Sequence, residues 1–214
     1  MCRLLYINSK YDFSISDYLE KFAEVSKNSK EFQGHGWGCA YIKSDIWQYY
    51  KNVKPIWEDN LIIFGSTKRL VVHARSAFKD EGIEVENNMP FYDNKFIFIF
   101  NGELHGVKIK EEGRIGAEKI FNYIKRFDKN NSGEMLLKGT EIIIKRSNYI
   151  RAMNIILSDN DASYIYSYFN ENQEYFTMYI NQESDNIIVC SEKLPGFKYW
   201  HSIQNNSITE LKCF

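Results

Sequence analysis

The chain has 214 residues, four cysteines, a formal charge of -1 and a charged fraction of 26%. Lys and Arg are interleaved with acids rather than collected, which argues against a polyanion-binding surface and against nucleic acid as a partner. No stretch approaches the roughly 18 apolar residues of a membrane span, and the opening MCRLLYINSKYDFS turns polar too soon for a signal segment, so one cytoplasmic domain over 1–214 without membrane contact is expected.

MCRLLYI reads as a strand starting at the N-terminus, which would hold Cys2 in a fixed place rather than on a fraying tail. Cys2 stands directly behind Met1. Removal of that one methionine would place a thiol (reference pKa about 8.5) and a free α-amine (about 7.7 to 8.0) on the same residue, so that one residue supplies both nucleophile and base. Ile15, Tyr18, Leu19, Phe22 and Val25 have the spacing of one helix face, with Ser14 or Ser16 available as the cap. HGWGCAYI follows as a Gly-punctuated strand, and WQYYKNVKP reads as a more exposed connection ending near Pro55. Asn60 to Phe64 and Lys68 to Ala74 are two further runs. The second is a buried strand that opens at His73 and Arg75.

After the loop GIEVENNMPF comes KFIFIF, the most strand-like segment, which Asn101-Gly102 is expected to end as a turn. Gly113 to Phe127 has helical spacing, and Ser132 to Ile144 reads as helix or strand. From Tyr149 the pattern is nearly all β: IRAMNIILS, ASYIYSYF, EYFTMYI, NIIVCS, a short KYW and SITELKCF, with Asp159, Asn160 and Asp161 turning the first pair. Many strands with about three helices imply an α+β fold, and two stacked, mainly antiparallel sheets each covered by helices, a four-layer αββα sandwich, would use all of them.

Arg75 ends an apolar strand, where a guanidinium is costly unless it meets an anion. A substrate carboxylate would satisfy it, and so would an internal bridge to Glu103 or Glu118. His73 shares its face by the two-residue strand period, as a core residue or as part of a binding surface. Asn101 and Gly102 offer an amide side chain and a backbone N–H to a developing oxyanion, or serve only as a turn. The glycines around Trp37 let backbone approach a substrate closely or permit a bulge. Tyr164, Tyr166 and Tyr168 share a face at spacing two, which reads as sheet packing. Cys2, Cys39, Cys190 and Cys213 form no C-x-x-C pair, so reduced thiols and no metal are expected. There is no nucleotide-binding fingerprint, so no cofactor is expected either.

Taken in order, Cys2, HGWG, VVHARSA, NNMPF and FIFNGEL resemble the class II glutamine amidotransferases of the N-terminal nucleophile superfamily, in particular their compact stand-alone members. AMNIILSDN, NIIVCSEKL and Trp200 look like the matching distal strands, so the resemblance spans essentially the whole chain. It implies that Cys2, freed of Met1, attacks the side-chain amide of glutamine or a γ-glutamyl compound. Asn101 and the Gly102 N–H would form the oxyanion hole, Arg75 would hold the substrate α-carboxylate, and Trp37 and its glycines would line or brace the pocket.

The chain also departs from the pattern. Phe100 and Met89 stand where the family usually has His. The helix that in relatives opens with Asp-Ser-Glu aligns with Gly116, Ala117 and Glu118, so the carboxylate that receives the substrate α-ammonium is absent. Glu118 is either a displaced substitute or the family's own structural Glu; two residues along a helix turn a side chain by about 200 degrees. The resemblance therefore favours a small-molecule amide lacking a free α-amine. It leaves open a glutaminase that feeds ammonia to a separate synthetase, a non-catalytic relative, and self-association.

Overall fold

The computed structural model describes residues 1–214. In chain order its strands are β1 (Arg3–Ser14), β2 (Trp37–Lys43), β3 (Ile46–Asn52), β4 (Ser66–Ala74), β5 (Phe91–Tyr92), β6 (Ile97–His105), β7 (Tyr149–Ser158), β8 (Ala162–Ser167), β9 (Tyr179–Gln182), β10 (Asn186–Cys190), β11 (His201–Ser202) and β12 (Ser207–Lys212). The helices are α1 (Ile15–Lys27), α2 (Gly116–Lys125), α3 (Ser132–Lys145) and the single turn α4 (Gln173–Phe176). The fold is α+β. Its two sheets are antiparallel throughout, and with four helices they make up the content of a four-layer αββα sandwich. No helix is long and apolar enough to cross a membrane.

The chain divides into two compact units, each built from separated stretches of sequence. The first comprises 1–90, 177–203 and residue 214, and its sheet runs β11-β9-β10-β1-β4-β2-β3. One face of this sheet is covered by α1, whose Ile15, Leu19, Phe22 and Val25 pack with Leu5, Ile7, Leu70, Val72 and Ala74. Each such side chain contributes about 1.5–3 kcal/mol on full burial, which is what holds the helix to the sheet. Ser14 caps α1 by accepting the Asp17 N–H at 3.4 Å. By strand alternation Leu4, Val71 and His73 point to the opposite face, and all three are fully buried.

The second unit comprises 91–176 and 204–213, with the sheet order β12-β8-β7-β6-β5. Helices α2 and α3 pack where Gly139 meets Ile124, a site with no room for a Cβ. Gly133 of α3 lies against the Tyr164 ring, and Tyr166 is buried, so the tyrosine face of β8 is a packing surface. Asp159 makes the β7–β8 turn by accepting the Asp161 and Ala162 N–H groups at 2.9 and 2.8 Å.

Several expectations change. WQYYKNV is not a connection but β3, the edge strand of its sheet. The run at Asn60 to Phe64 holds a short 3-10 turn, and EYFTMYI splits into α4 and β9. Asn101-Gly102 does not end a strand: β6 continues through it to His105, paired with β7 on both sides of a register shift between Glu103 and Leu104. Gly102 is needed there because a Cβ would overlap the Ala152 carbonyl across the ladder, a demand unrelated to turning.

Candidate active site

In the first unit Cys2 immediately precedes β1, where the first β1–β4 pair, Arg3 with Ala74, brings it level with Arg75. Its Sγ accepts the Ser76 N–H at 3.4 Å and lies 3.7 Å from the Ser76 carbonyl oxygen. Burial pushes the Cys2 thiol above its ordinary range, while the N-terminal ammonium, the Ser76 N–H and Arg75 pull it down and Glu31 pushes it up. A thiol so placed is protonated at neutral pH and needs a base to become a nucleophile. The Met1 ammonium pairs with Glu31, and the Met1 carbonyl accepts Gln33 Nε2 at 2.6 Å. While Met1 is attached, the Cys2 nitrogen is an amide and cannot serve as that base.

Arg75 is buried, and its guanidinium is oriented by the Gly82 carbonyl (2.8 Å) and by Asn88 Oδ1 (3.5 Å), both on Nη1. Neither partner is a carboxylate. Burial works against its charge, while Cys2 and Glu84 support it. Asn88, itself fully buried, also donates from Nδ2 to the Asn52 carbonyl at 2.8 Å. Gly36, at φ +106, passes so close to that carboxamide that a Cβ would overlap it. The close approach the HGWG glycines allow is therefore to Asn88 and, at Gly38, to the Met89 carbonyl.

Trp37 is fully buried in the core under α1 and donates its indole N–H to Asp59 at 2.9 Å. The same Asp59 oxygen accepts Tyr50 Oη at 2.7 Å and Asn52 Nδ2 at 2.8 Å. Trp37 thus braces the strand that carries HGWG. His73 is fully buried on β4, opposite Leu4 and Gly38. His35 is legible in the sequence only as a member of HGWG. It accepts the Ala77 N–H on Nδ1 at 2.8 Å, a contact 42 residues apart with no local signature.

In the second unit Asn101 is fully buried on β6, and neither its Nδ2 nor its Oδ1 has a hydrogen-bond partner. Its cross-strand neighbour Asn154, equally buried, is satisfied by the Phe176 carbonyl and the Tyr168 N–H at 2.7 and 3.2 Å. Glu118 lies in the first turn of α2 and accepts both the backbone N–H (2.6 Å) and the guanidinium of Arg114. Glu103 bonds Arg151 and His105. Gly116 is exposed with open space around it. All four cysteines are free, and no group of three or more His, Cys, Asp or Glu is assembled to hold a metal.

No protein-family model matches the chain, and no curated protein matches it by sequence. Solved structures do match. Glutamine phosphoribosylpyrophosphate amidotransferase from B. subtilis, solved with ADP and GMP, superposes over 99% of this chain with a TM-score of 0.73 at 14% identity. A glutamine aminotransferase class-II domain protein from Silicibacter pomeroyi matches over 99% of both chains (TM-score 0.67, 13% identity). A predicted glutamine amidotransferase from Pseudomonas aeruginosa PA01 matches over 99% of this chain and 97% of its own (TM-score 0.63, 13% identity). The chain spans 47% of the B. subtilis protein's length. At 13–14% identity the likeness to these structures is one of fold.

Proposed function

We propose that this chain is an N-terminal-cysteine amidohydrolase, acting through a thioester on a γ-glutamyl-type amide in preference to free glutamine. The observation that carries the reading is Cys2 Sγ on the Ser76 N–H, one residue along from a buried Arg75 that has no carboxylate partner. The unpartnered, fully buried Asn101 amide supports it further, since such a group costs about 1–3 kcal/mol unless something else meets it.

Under this reading, loss of Met1 turns the Cys2 nitrogen into an amine that takes the thiol proton. The thiolate adds to the amide carbonyl, and by the sequence resemblance Asn101 Nδ2 and the Gly102 N–H are the assigned oxyanion donors, one such donor being worth about 2.7–4 kcal/mol in the transition state. The C–N bond breaks as the ammonium returns its proton to the leaving nitrogen, and water then cleaves the thioester to the free acid. Arg75 grips the substrate carboxylate. Gly116 supplies no carboxylate for an α-ammonium and Glu118 is engaged by Arg114, so a free α-amine would enter unmet.

Two measurements test this together. Intact mass should show Met1 absent from the active protein, and kcat/KM should favour N-acylglutamine or γ-glutamyl amides over glutamine by about tenfold or more. A clear preference for free glutamine overturns the substrate assignment, and activity with Met1 retained overturns the base. The match to 47% of a longer amidotransferase favours one second reading, a glutaminase serving a separate synthetase. Glutaminase activity that arises only in a copurified complex would select it.

A further inference from the structure

His35 and Gly36 run beside Arg75 as a short two-way ladder: the His35 N–H donates to the Arg75 carbonyl at 3.1 Å, and the Arg75 N–H donates to the Gly36 carbonyl at 2.9 Å. Beyond Ser76, the Ala77 N–H donates to the His35 ring at Nδ1, 2.8 Å away. Ser76 is thus bracketed on both sides by one residue, while its own N–H points to Cys2 Sγ. We infer that His35 is a positioning residue for the Cys2 nucleophile: its Nδ1 anchors the Arg75–Ala77 segment whose Ser76 backbone seats the thiol, and the anchor releases when the imidazole gains a proton. This rests on the amidohydrolase reading.

The chemistry of the bond sets the direction. An Nδ1 that accepts an N–H must carry its lone pair, so the ring is neutral with its proton on Nε2, which faces Asp80 Oδ1 at 3.4 Å. A second proton can enter only at Nδ1, where it would meet the Ala77 N–H head on. Burial disfavours the charged ring first, and Arg75 and the N-terminal ammonium add to it. Asp80 works the other way, but it is 80% exposed and screened. Phe32 presents only a ring edge to the imidazole, and Glu31, which holds the Met1 ammonium, is released when Met1 is lost. His35 therefore titrates below its usual value near 6.5, so the anchor is complete at neutral pH and is lost as pH falls through the depressed value.

The test compares two substitutions in the full chain. His35→Asn puts an amide oxygen where Nδ1 stands, an acceptor that cannot be protonated, whereas His35→Ala leaves the Ala77 N–H without one. In the unsubstituted protein the Ala77 amide proton shift should inflect at acid pH, together with the acid limb of kcat. His35→Asn should keep neutral-pH turnover within about twofold and lose both inflections. His35→Ala should lower kcat about tenfold to hundredfold with KM little changed, as a displaced nucleophile does. An inflection that survives in His35→Asn, or an Ala variant that turns over normally, overturns the inference. If His35→Ala fails to fold, the pH response of His35→Asn still decides. If the unsubstituted protein turns over no amide, the amidohydrolase reading falls and takes the role in catalysis with it. The Ala77 shift then reports separately whether the anchor itself exists.

Discussion

Three side chains are placed at a cost that packing alone does not repay. Cys2 is seated on backbone with its thiol held protonated, Arg75 is buried on a carbonyl and an amide oxygen, and Asn101 is buried with no partner at either polar atom. Asn101 gives the sharpest residue-scale discrimination. A structural asparagine lowers stability when truncated, because its partners lose their bonds. Here no such bonds exist within the chain. Asn101→Ala should therefore lower kcat by about 10²–10³, the loss typical of one oxyanion donor, while leaving the thermal midpoint unchanged or slightly raised. A large fall in midpoint would make Asn101 a structural residue and remove its assigned role.

At the scale of elements, Asp59 ties β2 to β3 and to the turn that follows. One carboxylate oxygen accepts the Trp37 indole, the Tyr50 hydroxyl and the Asn52 amide. Burial pushes the Asp59 carboxyl up, but bonds from Tyr50, Trp37, the Asn60 N–H and Asn52 outweigh it and hold the folded value below the usual carboxylate range. The contribution to stability is then fully present above the unfolded value near 3.9 and is lost as pH falls through the folded one. Asp59→Ala should cost about 2–3 kcal/mol at neutral pH and flatten the acid end of the stability curve. A variant with an unchanged acid limb would show that the carboxylate is not what titrates there. Elements of this kind were only partly legible in the sequence. Helix α1 was, because its Ser14 cap and its apolar stripe are local. β3 was not, because an edge strand half-exposed along its length shows no clean alternation. Asn101-Gly102 misled for the opposite reason: the local turn signal is strong, but the β7 ladder overrides it, and the carbonyl that demands Gly102 lies 50 residues away at Ala152. Cys2 and Arg75 could be singled out from their own surroundings in the sequence, whereas His35 acts through Ala77 and Trp37 through Asp59, contacts that exist only after folding.

For the whole molecule, the chain leaves the first unit after Pro90 and returns at Thr177 to supply strands that the N-terminal part cannot replace. β10 lies between β1 and β9, with Leu5 opposite Cys190 and Ser9 opposite Asn186. The residues after it clamp the start of β1: the Ser191 N–H donates to the Leu4 carbonyl at 3.0 Å, Ser191 Oγ accepts the Leu4 N–H at 2.9 Å, and Arg3 pairs with Glu192 at 2.6 Å. The geometry of Cys2 thus depends on residues nearly 190 positions downstream. A fragment of residues 1–176 would lose Ile187, Ile188, Val189, Cys190 and Leu194, all buried, at about 1.5–3 kcal/mol each. That sum is comparable with the roughly 5–15 kcal/mol by which whole domains are stable. The fragment should show no cooperative unfolding transition and should leave Cys39, buried and with its thiol pushed well up by desolvation in the intact chain, open to alkylation. Coexpressed residues 177–214 should restore both the transition and the protection. A fragment that melts cooperatively near the full chain's midpoint would instead mean that β1, β4, β2 and α1 hold together without the returning segment, and that the clamp on β1 is dispensable.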